Sequence, residues 1–179
     1  EFGSDFTISE ESVKGLISVI NPNFQGSDRS VNFVLECTVT DRLVNYGYKS
    51  SKTGFSIGTG LEYYEDIYLN AGISAYIENL KTDSTATATV KKQKGSYFDT
   101  YFNYTLDYDE RNQRYQTTDG FRSRFTQNVP IISENYTLKN TYDYKVFNEW
   151  LNENVASIGF FIGTANYITD KDVKLSDRL

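Results

Sequence analysis

The chain has 179 residues, a formal net charge of −6 and a pI near 4.7, enough for one domain with a sizeable core. That acidity argues against a nucleic-acid partner, which calls for a basic stripe. There is no His and one Cys, which excludes His-based triads, most zinc or haem ligand sets and any internal disulfide; acidic pairs such as Glu10-Glu11 and Asp109-Glu110 sit at expected loops without a partner constellation, so neither an enzyme nor a cofactor is expected.

In chain order, Glu1–Gly3 reads as the end of a strand and Ser4–Glu10 as a polar loop. Val13–Ile20 reads as a strand. The stretch Asn21-Pro22-Asn23-Phe24, continuing through Gly26 to Asp28, is a turn, because Pro cannot donate to a ladder and Asn and Gly tolerate left-handed geometry. Ser30–Asp41 alternates cleanly, with Cys37 on the parity of Val31, Phe33, Leu35 and Val39, where it acts as a small apolar filler. Arg42–Lys52 is a polar loop. Thr53–Leu61 sets Phe55, Ile57 and Leu61 against Gly58 and Gly60, glycines that let a sheet bend. Glu62–Asp66 is a turn and Ile67–Asn79 a strand. Leu80–Ser96 is a Thr/Ala/Lys-rich excursion, where Thr85–Val90 is expected to extend the flanking strands and Lys91, Lys92 and Lys94 to solvate a loop.

The clearest alternation follows. In Tyr97–Tyr108, Phe98, Phe102, Tyr104, Leu106 and Tyr108 oppose Asp99, Tyr101, Asn103, Thr105 and Asp107. Asp109-Glu110-Arg111-Asn112 and Thr118-Asp119-Gly120 punctuate the next connection, and Gly120 is expected to take positive φ or a close backbone approach. In Phe121–Ile132, Phe121, Phe125, Val129 and Ile131 oppose Arg122, Arg124, Thr126 and Asn128. In Tyr136–Phe147, Tyr136, Leu138, Tyr142, Tyr144 and Val146 oppose Thr137, Lys139, Thr141, Asp143 and Lys145. Asn148–Asn154 is a loop, Val155–Ile168 a last strand and Thr169–Leu179 a charged end. These windows lack the 3.6-residue period of a helix.

The expected fold is all-β, an antiparallel meander of about eight strands, with no apolar run approaching the roughly 18 residues of a membrane helix. A soluble sandwich buries the apolar face, whereas a transmembrane barrel turns it to lipid and keeps charge in the lumen. The 16% aromatic content and the strand lengths favour the barrel, and connections that alternate long and short fit it imperfectly. The absence of Met predicts a processed chain or a segment of a longer one, with Glu1–Ser4 read as native strand.

Tyr97–Ile132 resembles the barrel of the Omp85 superfamily, in particular its outer-membrane assembly factors. Asp109 and Arg111 match that family's Asp-x-Arg turn. Thr118, Asp119 and Gly120 match its Pro-Thr-x-Gly turn, with Thr117 where the family has Pro. Asn21, Pro22 and Phe24 match its Asn-Pro-x-Phe turn, and Asp177-Arg178-Leu179 looks like the approach to its sixth loop. The resemblance implies that residues 1–179 are a partial barrel, roughly strands four to eleven of sixteen, without POTRA domains and without the gate strands or the Arg-Gly-Phe loop motif. It implies a place in the outer membrane of a Gram-negative bacterium. The partners implied are outer-membrane lipid, β-barrel clients and accessory lipoproteins. Phe98, Phe102, Leu106, Phe121, Phe125, Leu138 and Tyr142 would face lipid, and Arg122, Arg124, Lys139, Asp143 and Lys145 the lumen. A porin-like barrel, another translocation barrel of the superfamily (a TpsB-type secretion pore or a TamA-like factor) and a soluble β-sandwich binding module are the alternatives.

Overall fold

The computed structural model describes residues 1–134, 136–151 and 154–168. Alternating apolar and polar residues set up strands with two unlike faces, and short connections pair each strand with the next. The result is one nine-stranded antiparallel sheet in the order β1 to β9. The strands are β1 (Phe2–Ile8), β2 (Ser12–Asn21), β3 (Arg29–Arg42), β4 (Tyr48–Tyr64), β5 (Ile67–Thr82), β6 (Gly95–Asp109), β7 (Gly120–Ile132), β8 (Thr137–Leu151) and β9 (Asn154–Tyr167). Two short helices, α1 (Leu43–Tyr46) and α2 (Ala88–Lys92), lie in connections at one end of the sheet.

Register carries the parity of each strand across the sheet. Phe33, Ile57, Ile73 and Phe102 form one continuous row on one face, and Val34, Ser56, Ser74 and Tyr101 the adjoining row on the other. The apolar face is open: Ile57 and Ile77 are each 51% exposed and Ile158 is 74% exposed. On the polar face Ser74, Glu78, Asp99, Asp107 and Thr137 are buried, the reverse of a soluble core. The sheet curls around this polar face, since a single hollow of about 700 Å³ is lined by Ser30 of β3, Asn70 of β5 and Arg122 of β7. Along β4 and β5 the inner face is crowded. A Cβ on Gly54 would lie 2.3 Å from the Ala75 carbonyl oxygen, and one on Gly72 would lie 2.6 Å from that of Ile57, so only glycine lets these strands approach at the inner face.

Several expected boundaries shift. Ser4–Ile8 is strand rather than loop: Phe6 and Ile8 continue the outward parity of Phe2, and the segment pairs with Val13–Ile17 of β2. That raises the strand count from about eight to nine. Tyr48–Lys52 also belongs to a strand, because Tyr48 pairs with both Arg42 and Thr82, leaving Leu43–Gly47 as the connection. Thr85–Val90 does not prolong strands. Thr87 caps α2 by accepting a hydrogen bond from the Val90 amide at 3.5 Å, and the Ala/Lys content favours the helical turn. Asn148–Leu151 extends β8 where a loop was expected. Long connections do not gather at one end: Asp83–Lys94 and Glu110–Asp119 lie at opposite ends of the sheet. The charged segment Thr169–Leu179, with Asp177, Arg178 and Leu179, lies outside the described residues.

Candidate functional site

The inner face of β6 and β7 carries an ionic cluster built by register alone. Asp107 stands opposite Arg124, and Asp109 opposite Arg122. The Asp107 carboxylate takes a bidentate pair from Arg122, with Nε donating at 2.8 Å and Nη2 at 2.6 Å. Arg124 donates to the same carboxylate from Nη2 at 2.7 Å and from Nε at 3.1 Å. The Asp107 side chain is only 8% exposed, against 29% for Arg122 and 44% for Arg124. The acceptor is therefore withdrawn from water while the donors reach toward the hollow. Two cations hydrogen-bonded to one carboxylate compensate its withdrawal from water.

The connection between β6 and β7 continues the cluster. Arg111 grips Asp109 through Nε at 2.6 Å and Nη2 at 2.7 Å. These bonds raise the Arg111 pKa further, against the opposing effect of burial. Asn112 ties the two turn motifs together. Its Oδ1 accepts from the amides of Thr118 and Asp119 at 3.2 and 3.3 Å, and its Nδ2 donates to the Thr118 hydroxyl at 2.6 Å. Gly120 closes the loop at φ +95°, and a Cβ there would lie 2.1 Å from the Glu110 carbonyl oxygen, so glycine is required at this step. Arg114 stacks on Tyr68 at 5.3 Å and thereby fastens the loop to β5.

The remaining expected positions separate into those that join this cluster and those that do not. Pro22 lines the same hollow, while Phe24 begins a single 3₁₀ turn and is 41% exposed. In that turn the Asn21 side chain accepts from the Asn23 amide at 3.3 Å. Asp143 lies opposite Arg124, and Lys145 opposite Arg122, yet both arginines turn to Asp107 on their other flank. Lys145 instead sits 4.9 Å over the Phe147 ring, and Lys139 is placed farther along β8 opposite Asn128. Asp107 itself was legible only as a polar position of β6. Its role as the hub depends on cross-strand register, as do the pairing of Asp99 with the Ser133 hydroxyl at 2.5 Å and that of Asn103 with Ser74 at 2.8 Å. Asn112 had a signal in its position between the two turn motifs.

On the outer face Phe98, Phe102 and Leu106 are exposed and Phe121, Phe125, Leu138 and Tyr142 half-buried. Rings pair across strands, Tyr108 with Phe121 at 5.2 Å, Phe121 with Tyr144 at 5.9 Å and Tyr144 with Phe160 at 5.4 Å, while Tyr104 meets Phe125 at 6.1 Å. Among the described residues no group of three or more metal-ligating side chains converges. The inner cluster is chemically an ion-pair lattice that locks two strands and a loop.

The Omp85 superfamily domain matches residues 1–178. Among solved structures, the chain is similar to the crystal structure of BamA from Haemophilus ducreyi lacking POTRA domains 1-3, with a TM-score of 0.80 at 16% identity. The match covers 96% of this chain and 36% of that one, so the chain spans about a third of its length. Comparison with curated proteins finds no match.

Proposed function

The chain belongs to the Omp85 superfamily, and on that premise we propose that it forms part of the barrel wall of an outer-membrane factor that folds and inserts other β-barrel proteins. One observation carries this reading: a single curled sheet whose apolar face is outside and whose charged face is inside, over the length matched by the family. In a barrel that outer face, with Phe98, Phe102, Leu106, Phe121, Phe125, Leu138 and Tyr142, meets lipid. The inner face, with Arg122, Arg124, Lys139, Asp143 and Lys145, meets the aqueous lumen. Tyr63, Tyr64 and Trp150, at 75%, 70% and 80% exposed, supply rings for an interfacial girdle near one end. No covalent step is required of these residues. The wall holds its shape through the β6–β7 lattice while clients engage parts of the barrel beyond this segment. The client barrels and accessory lipoproteins are the expected partners, and a Gram-negative outer membrane the expected location.

The test uses the full-length protein in proteoliposomes, offered a urea-unfolded small β-barrel. Folding of that substrate, followed by its heat-modifiable electrophoretic mobility, is expected to run faster than in empty liposomes. Solute conduction without accelerated folding refutes assembly and leaves a porin-like or secretion barrel. A full-length protein that stays in solution without detergent refutes the membrane reading altogether.

A further inference from the structure

The outer face changes character abruptly at the end of the wall that carries α1 and α2. Its last apolar row is Thr53–Ile77–Phe98, followed by a polar row, Ser51–Asn79–Ser96. The next row is Asp41–Lys49–Lys81, with Lys49 directly opposite Lys81. Leu80 pairs with Gly95, and one further step in that register brings Lys94 beside Lys81. Lys49 is bonded to Asp41 at 2.7 Å. Lys81 and Lys94 are exposed, and neither makes an ion pair within 4.0 Å among the described residues. Lys91 and Lys92 follow on α2, where the Lys91 Nζ donates to the Ser84 carbonyl at 2.7 Å. The nearby Asp83 carboxylate is already engaged by the Thr85 hydroxyl at 2.6 Å.

Lys81 has a like charge on either flank, Lys49 and Lys94, and like charges opposed across strands are unfavourable; Asp41 neutralises Lys49, which leaves Lys81 and Lys94 as the charges of this end without an anion among the described residues. The height of this row is informative. Lys81 lies four steps beyond Ile77, about 13 Å along the strand and roughly 10 Å along the axis of a wall tilted by about 40°. Lysine stems at that height lie against the edge of an apolar band and lift their ammonium groups into a headgroup layer. The opposite end of the outer face is unlike it: Arg29 is the one Lys or Arg on an outward strand position there among the described residues, beside Tyr63 and Tyr64.

We propose that Lys81 and Lys94, beside the Asp41-paired Lys49, form a docking rim for the phosphate-bearing headgroup of an anionic membrane lipid. The proposal rests on the membrane-barrel reading above and adds a lipid specificity to it. The occupant is a lipid because a single polar row separates the rim from the apolar band, which holds the acyl chains while the ammonium groups meet the phosphate.

The experiment reconstitutes the full-length protein in phosphatidylcholine vesicles carrying trace spin-labelled lipid, either phosphatidic acid or phosphatidylcholine. Electron paramagnetic resonance then gives the relative affinity of the two for the protein boundary. Selection for phosphatidic acid is expected on the order of fivefold per participating lysine, weakening in high salt. Lys81→Gln with Lys94→Gln is expected to bring selection close to parity. Lys81→Arg with Lys94→Arg is expected to keep it, as is Lys14→Gln, which removes one charge from the inner face of β2. A wild type without selection, a Gln pair that retains it, or equal loss in Lys14→Gln overturns the proposal while leaving the membrane reading intact. Absence of any immobilised boundary lipid refutes the membrane reading itself, and the rim with it.

Discussion

Replacing Asp107 by Ala removes the hub of the inner wall, leaving Arg124 without its ion-pair partner and Arg122 with only a longer contact to Asp109, at 3.8 Å. Breaking a buried pair by deleting one partner typically costs about 3–5 kcal/mol, because the remaining charge is stranded. Here the two arginines are 29% and 44% exposed and regain part of their hydration, so a smaller loss, about 2–3 kcal/mol, is expected. The assay is denaturant unfolding of the full-length protein in detergent, followed by heat-modifiable mobility. A double-mutant cycle with Arg122→Gln isolates the pair, and its bidentate geometry at 2.8 and 2.6 Å predicts a coupling above about 1 kcal/mol. Asp143→Asn serves as the reference, since Asp143 lies on the same face of β8 but neither arginine turns to it. If Asp107→Ala costs no more than Asp143→Asn, or if the coupling falls below about 0.5 kcal/mol, the cluster is solvated charge and the account of the inner wall fails.

Gly120→Ala forces a side chain into φ +95° and against the Glu110 carbonyl; we expect a loss of at least about 1–3 kcal/mol and faster proteolysis within 110–119, and wild-type protease resistance would contradict this. Asn112→Ala deletes the acceptor of two amides and a donor to Thr118; about 1–2 kcal/mol of destabilisation and earlier cleavage of the same loop are expected, with intact Arg111–Asp109 pairing. Phe125→Arg on the outer face is expected to cost about 2–4 kcal/mol in a bilayer if it lies near mid-membrane, while Thr126→Arg on the inner face costs less; equal effects in vesicle-folding titrations would contradict the assignment of faces. Gly72→Val drives a branched side chain toward the Ile57 carbonyl, 2.6 Å from the first added carbon, and is expected to lower folding yield more than Ala71→Val on the outer face of the same strand.

The sequence by itself determined the class of the fold and the facing of its strands, because strand alternation has a period of two and is a local property. Phe98, Phe102 and Leu106 emerge on one side and Asp99, Asn103 and Asp107 on the other whichever strand lies alongside. The positive φ of Gly120 was legible for the same reason, in its place at the end of a turn. Where alternation was weak or polar, the reading failed: Asp5 and Thr7 made Ser4–Ile8 look like loop, and pairing with β2 decided otherwise. Thr85–Val90 failed in the opposite direction, since its alternating Thr and Ala matched a strand pattern until Thr87 capped a helical turn. What only the tertiary structure decided was partnership. Whether Arg122 and Arg124 would bind Asp107 or the charges of β8 depends on which residues register sets across from them, and on side-chain reach within a curled wall. Glycines at the β4–β5 seam leave space that a Cβ would take from the neighbouring backbone, and residues from β3 to β7 line one hollow. Contacts between residues distant in sequence are fixed by register, and the shared lining of the hollow by curvature, and neither quantity is carried by any single strand.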